Sequence, residues 1–133
     1  MIEQFVTQII EKHDSNDPFL IAEEEKIRVV FTKLGGLSGL FTIRNGLKII
    51  LLNENLAKYQ VKFVLAHELY HALVHSECIN LFLNQKSFNL KGEMQANSFA
   101  TKLLCFHTEV YEGMTKSQIL QKNAIPEGME RYL

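Results

Sequence analysis

The spacing of apolar positions predicts that the chain begins with an amphipathic helix over residues 2–13. The apolar residues recur every three or four positions and so share one stripe of a helix: Ile2, Phe5, Val6, Ile9 and Ile10. A polar break follows, in which we expect His13 to be solvated. Asp17 followed by Pro18 is typical of a helix N-cap and first turn, so a second, short helix should run through Glu25.

Alternating and continuous apolar runs in the next part of the chain predict strands. The first covers Ile27–Phe31, and a turn at Gly35–Gly36 separates it from two further runs, Leu40–Arg44 and Leu47–Leu52. These two runs are joined by Asn45–Gly46, a dipeptide that favours type I′ turns and hairpins. We therefore expect a small antiparallel three-stranded sheet.

A segment that is apolar nearly all round predicts a largely buried helix from near Ala57 to about His75. The next stretch, residues 77–91, is poorly patterned, although a short helix is expected at 81–83. Another helix should start near Gly92, because apolar residues return there at helical spacing.

The end of the chain carries a capping-box pattern, Thr115–Gln118, which predicts a short helix to about Lys122. The order of helices, sheet and further helices indicates an α+β domain. The length of 133 residues suits one domain spanning residues 1–133. No particular oligomeric state is indicated.

Composition narrows the possible partners and the compartment. The net charge is −1 without a basic block, so direct nucleic-acid binding is not favoured. No apolar run is long enough to span a membrane, and the N-terminus does not resemble a secretion signal, so we expect a cytoplasmic protein. Cys78 and Cys105 lack the C-x-x-C spacing of zinc sites, and a disulfide between them is not expected in that compartment.

The most informative motif is His67-Glu68-Leu69-Tyr70-His71, which matches H-E-x-x-H. On a helix the two histidines lie one turn apart on the same face, where a single zinc ion can bind both. Glu68 is then placed to reach an attacking water without binding the metal itself. Polar side chains in so apolar a helix need partners or a metal, which favours the metal interpretation over a chance match.

A catalytic zinc usually takes a third protein ligand and keeps one position open. Glu93, 22 residues after His71 (93 minus 71), is a candidate at the start of the next helix, although a first-turn glutamate is common without any metal. His75 and His107 are rivals. His75 lies one further turn along the motif helix, about 5.4 Å away, so one ion cannot easily reach it as well.

Two small residues near Glu93 favour a close approach of that helix to the motif helix. Ala96 and Ala100 share nearly the same face as Glu93 and are small. Asn97, one turn on, could hydrogen-bond the glutamate or orient a histidine of the motif.

Taken together, these stretches resemble the ImmA/IrrE family of zinc metallopeptidases, especially small forms encoded by phages and mobile elements. The match extends over about residues 17–126. The helix that starts near Gly92 fits the pattern E-x-x-A-N-x-F-A-x-x-L-L. Three stretches carry it: residues 63–75, 93–104 and 48–53. The resemblance departs at Tyr70, where many relatives have glycine, and at Cys105–Phe106, where many have Met-Pro.

The resemblance implies that His67, His71 and Glu93 bind Zn²⁺ and that Glu68 is the catalytic glutamate of a zincin-like metalloendopeptidase. It also implies a substrate, a helix-turn-helix repressor cut at one site to release phage or mobile-element genes. Larger relatives carry an added sensor domain, for which 133 residues leave no room.

The sequence allows alternatives for the oxyanion donor, for the strand that binds the substrate and for the function. Tyr70, His107 and Tyr111 are candidate donors to the oxyanion of the tetrahedral intermediate, and Tyr70 is otherwise a packing residue. If the strand Leu47–Leu52 is a sheet edge, an extended substrate could pair with it. The rival function is a zinc-binding regulatory module, anti-repressor or antitoxin-like, that docks without proteolysis; a small-molecule zinc hydrolase is a third possibility.

Overall fold

The computed structural model describes residues 1–74 and 90–133. Within these residues, helices precede and follow one three-stranded sheet, which confirms the predicted α+β class. The elements are α1 (Ile2–His13), α2 (Pro18–Glu24), β1 (Arg28–Thr32), β2 (Gly39–Arg44), β3 (Leu47–Asn53), α3 (Val61–Val74), α4 (Leu90–Cys105) and α5 (Lys116–Lys122), with short 3₁₀ turns at Lys58–Gln60 and Glu130–Tyr132. His75, Cys78 and the short helix expected at 81–83 lie outside the described residues.

The helix starts follow the capping residues of the sequence. The Asp17 carboxylate accepts a hydrogen bond of 2.9 Å from the backbone N–H of Phe19, and Pro18 occupies the first turn of α2. At α5, the Thr115 hydroxyl accepts from the N–H of Gln118 at 3.1 Å, and the Gln118 side chain accepts from the N–H of Thr115 at 2.9 Å. Both predicted N-caps are confirmed, because each satisfies backbone donors left unpaired in a first turn.

The β2–β3 hairpin turns where the sequence predicts. Asn45 and Gly46 both have positive φ, 51° and 78°, as a type I′ turn requires. Arg44 therefore pairs with Leu47, and the two strands run antiparallel from that point.

The prediction of a wholly antiparallel sheet is wrong for β1. The strand order is β1-β3-β2, and β1 runs parallel to β3, with Val29 opposite Ile50. The reason is the loop 33–38, which carries the chain past one strand position before β2 begins. The mainly apolar β3 then returns between the other two strands, where both of its edges are paired.

Asn53, at the end of β3, fixes that loop. Its side-chain amide donates to the carbonyl oxygens of Gly35 at 3.0 Å and Leu37 at 2.9 Å. The side chain is buried, so these bonds replace water for all three groups. The start of β2 is thereby held next to α3.

Helix α3 is the centre of the core, packing on β2, β3, α2 and α4. It starts at Val61, later than predicted, because a 3₁₀ turn occupies Lys58–Gln60. Its burial is confirmed by four residues with no exposed surface: Leu65, Ala66, Leu69 and Ala72. Across from it on α4, Ala96 and Ala100 are also fully buried, which allows the two helices to approach closely.

Candidate metal centre

His67 and His71 project from successive turns of α3 towards α4. Their ring centroids are 5.3 Å apart, and the side chains are only 14% and 12% exposed. The i, i+4 spacing on an otherwise apolar helix produces this arrangement, because both side chains must leave the helix on one face.

Glu93 meets both histidines from the first turn of α4. Its Oε2 lies 3.2 Å from His67 Nε2, and its Oε1 lies 2.6 Å from His71 Nε2. One ligand atom from each of the three residues lies within 4.8 Å of those of the other two. The structure thus brings together the three residues that the sequence singled out as metal ligands.

Asn97 sets the orientation of the His67 ring. Its Oδ1 lies 2.8 Å from His67 Nδ1, one turn along α4 from Glu93. A side-chain amide oxygen can only accept, so His67 donates from Nδ1 to Asn97, and Nε2 is the ring nitrogen directed at Glu93. The sequence left open whether Asn97 would bond the glutamate or a histidine, and it bonds the histidine.

The charges of the cluster also suit a cation. Hydrogen bonds from His67 and then His71 hold the pKa of Glu93 well below its usual range, so this carboxylate stays ionised. Burial lowers the pKa of His67, but its hydrogen bond with Glu93 and the nearby carboxylates outweigh burial, and the net shift is upward. Two imidazole nitrogens and one carboxylate form a donor set found in catalytic zinc sites, so these residues fit such an ion.

Glu68 lies beside the cluster in a different environment. Burial raises the pKa of Glu68, while His67 and His71 partly offset that rise. The backbone N–H of Phe41, on β2, also lowers this pKa, by the smallest of these contributions. A half-buried carboxyl group with an elevated pKa next to a candidate metal site is suited to accepting and releasing a proton.

A cleft of about 850 Å³ opens beside these groups. Its polar lining includes His67, Glu68, Glu93 and Asn97. Its apolar lining comes from two places in the chain, around the start of α3 and after α5: Leu56, Tyr59, Phe63, Val64, Ala124, Ile125 and Pro126. Ser38, Gly39, Gln60 and Gln121 complete the lining.

Other candidates from the sequence lie elsewhere. Tyr70 packs against Phe99, with ring centroids 5.4 Å apart, and its hydroxyl group donates to Gln95 at 3.4 Å, as expected for a packing residue. His107 and Tyr111 are exposed, and neither belongs to the cleft lining among the described residues. Burial raises the pKa of the Cys105 thiol to about 11, so it is a poor metal ligand.

The sequence did not indicate which apolar residues would line the cleft. Ile125 and Pro126 are placed there because α5 ends at Lys122 and Ala124 adopts a positive φ of 56°, with Ile125 N bonded to Leu120 O at 2.9 Å. The only signal was the Ile-Pro pair after a short helix, which marks a helix end without indicating what the next residues face.

Comparison with known proteins agrees with this geometry. The sequence model of the IrrE N-terminal-like domain, a peptidase family, matches residues 22–119, and the chain belongs to that family. It is 31% identical over 107 residues to the uncharacterized immunity region protein 2 of Bacillus phage phi105, covering 78% of this chain and 68% of that protein. It is also 31% identical over 142 aligned residues to metallopeptidase ImmA of Bacillus subtilis strain 168, covering 98% of this chain and 82% of that protein.

Family and fold together make the chain a metallopeptidase of the ImmA/IrrE type. Among the described helices, none combines the length and apolar character needed to cross a membrane.

Proposed function

We propose that this protein is a zinc-dependent endopeptidase, with residues 1–133 acting as one zincin-like domain. His67, His71 and Glu93 are the proposed Zn²⁺ ligands, and Glu68 is the proposed catalytic residue. The observation that supports this best is the convergence of those three donors within 4.8 Å of one another. Two of them, His67 and Glu93, line the cleft that Glu68 also lines.

Bound zinc would supply a Lewis acid and lower the pKa of a coordinated water towards ~7. Glu68 then accepts the proton of the attacking water and returns it to the nitrogen of the leaving amine. Burial raises the pKa of Glu68 and so favours the protonated form that this second step needs. Asn97 holds His67 with Nε2 directed to the cluster throughout.

The substrate would bind as an extended strand along β2. The sequence suggested Leu47–Leu52 for this role, but β3 is the central strand and both of its edges are paired. β2 is an edge strand, and its first residue, Gly39, lines the cleft. A peptide added there would gain backbone hydrogen bonds, and one of its side chains would contact the apolar residues that line the cleft.

A helix-turn-helix repressor is the proposed substrate. Support comes from the family resemblance of the motif helices and from a relative named after a phage immunity region. The net charge of −1 also suits a protein that acts on the repressor rather than on DNA, in the cytoplasm where the repressor works.

The test is a cleavage assay on the repressor encoded beside this gene. Zinc-loaded wild type and Glu68→Ala are each incubated with it, and products are followed by gel and mass spectrometry. One discrete cut made by wild type alone is expected. An intact repressor in a stable complex with both proteins would contradict proteolysis and favour docking without cleavage.

A further inference from the structure

Gly39 lies against α3 at the position of Glu68. It is the first residue of β2 and pairs with Leu52 of β3. A β-carbon added to Gly39 would lie 2.8 Å from Val64 Cγ1 and 3.1 Å from Glu68 Cγ. Because real β-carbons essentially never approach within 3.0 Å, any other residue would displace the strand or these side chains.

Backbone conformation does not explain why glycine stands here. The described glycines with positive φ are Gly35, Gly46, Gly113 and Gly128. Gly39 is outside that group, so what it provides is space rather than an unusual dihedral angle. Gly36, three residues earlier, also lacks a positive φ, and nothing lies within 4 Å of its β-carbon position.

The same strand also lies near the other end of the glutamate. Phe41, two residues after Gly39, points to the same face of β2, and its backbone N–H lowers the pKa of the Glu68 carboxyl group, as a nearby donor does. Gly39 therefore allows the close approach of strand and helix that brings this donor within reach of Glu68.

We propose that Gly39 is a positioning residue for Glu68. Its missing side chain lets β2 pack against Val64 and Glu68, so that the Glu68 side chain keeps its place in the cleft beside His67. This inference rests on the proposed peptidase function and adds a steric requirement to it.

The test compares Gly39→Ala with Gly36→Ala, a matched control in the open loop. Both are assayed on a peptide spanning the bond cut by wild type, and zinc content and thermal midpoint are measured on the same samples. We expect kcat of Gly39→Ala to fall about 100-fold, as for a displaced catalytic group. Zinc content should match that of Gly36→Ala, and Gly39→Ala should still unfold in one cooperative thermal transition, which a general loss of structure would not allow.

If Gly39→Ala does not fold, Gly39→Ala/Val64→Ala is compared with Val64→Ala. The double variant loses the contact at 2.8 Å but keeps the one with Glu68, so kcat should still fall about 10-fold below that of the single variant. The inference would be overturned if the Gly39 variant and its control, in whichever of these two pairs is used, had equal kcat. Loss of zinc together with activity would also overturn it.

The proposed peptidase function and the positioning role of Gly39 are contradicted by different results. If wild type makes no cut, the proposed function fails and this inference falls with it. If wild type cuts and Gly39→Ala cuts at the same rate, only the positioning role is removed.

Discussion

Glu68 and Glu93 are the same residue type in opposite environments. Burial raises the pKa of Glu68, whereas hydrogen bonds from His67 and His71 hold that of Glu93 well below its usual range. One carboxyl group is thus suited to exchanging a proton and the other to remaining an anion. Such divergence between neighbouring carboxyl groups is how a site divides acid–base work from charge binding.

We predict that Glu68→Gln keeps the metal and loses cleavage. The amide has the shape of the carboxylate but cannot accept the proton, so the rate should fall by about 10²–10⁴. Zinc content by elemental mass spectrometry should equal that of wild type. Glu127→Gln, which alters an exposed carboxylate, is the control, and a wild-type rate for Glu68→Gln would remove its role as base.

Replacing Asn97 and replacing Glu93 should lower the zinc affinity by different amounts. Asn97→Ala removes only the hydrogen bond that orients His67, so zinc affinity should fall about 10–100-fold. Glu93→Ala removes a proposed ligand, and its loss should exceed that of Asn97→Ala. Chelator competition measures both, and the reverse order would take Glu93 out of the set of residues that bind the metal directly.

At the scale of elements, sequence patterns were sufficient where the cause is local. Asp17–Pro18, Asn45–Gly46 and Thr115–Gln118 each act within one turn of chain, and all three are found as predicted. The direction of β1 was predicted wrongly, because strand order depends on how the loop 33–38 crosses the sheet. No local pattern in β1 records which strand will lie beside it.

The loop that sets this order gives a stability prediction. Asn53→Ala leaves the carbonyls of Gly35 and Leu37 without their donor, so the free energy of unfolding should fall by about 1–3 kcal/mol. Urea unfolding measures it. Asn55→Ala, an exposed neighbour, is the control, and an equal effect of both variants would contradict the role of Asn53.

The end of α1 is joined to α2 by a buried histidine that we expected to be solvated. His13 Nδ1 lies 2.6 Å from Glu24 Oε1, and its Nε2 lies 2.7 Å from Glu25 Oε2. The expectation failed because these partners are 11 and 12 residues along the chain, and only the packing of two helices brings them to the ring.

Glu25 gives this junction a pH dependence. A hydrogen bond from Lys12, then one from His13, keeps the pKa of Glu25 below its ordinary value of 4.5, although burial opposes them. Stability from a lowered carboxyl pKa is present above the unfolded value and is lost as pH falls through the folded one. Glu25→Gln should therefore lower the free energy of unfolding by about 1 kcal/mol at neutral pH.

The difference between wild type and Glu25→Gln should shrink below a pH of about 4, where the unfolded carboxyl is protonated. Urea unfolding across pH measures it, with Glu23→Gln, an exposed carboxylate in the last turn of α2, as control. A difference that stays constant from neutral to acid pH would contradict the assignment.

At the scale of the whole molecule, the site was predictable to the extent that its residues carry distinctive chemistry. His67, His71 and Glu93 could be named from spacing and resemblance, and they meet in space. Ile125, Pro126 and Gly39 could not, because an apolar cleft wall and a missing side chain look like ordinary core and loop residues in a sequence. Their roles appear only when distant segments are brought together.

Metal removal should weaken the whole fold. A ligand that binds only the folded state stabilises it by about 2.7 kcal/mol at a hundredfold excess over its Kd. For a chain of this size, EDTA should lower the thermal midpoint by about 10 °C, and added zinc should restore it. Glu93→Ala should show little response to EDTA; an equal shift in that variant would place the stabilising metal elsewhere.

The cluster is divided between two helices, α3 and α4, each of which contains only part of it. The first supplies His67, His71 and Glu68, and the second supplies Glu93 and Asn97. A chain opened between them would give two fragments without hydrolytic activity, held together when they meet by the apolar contact of α3 with α4. Fused to two proteins of interest, such fragments would form a reporter of association whose signal is peptide cleavage.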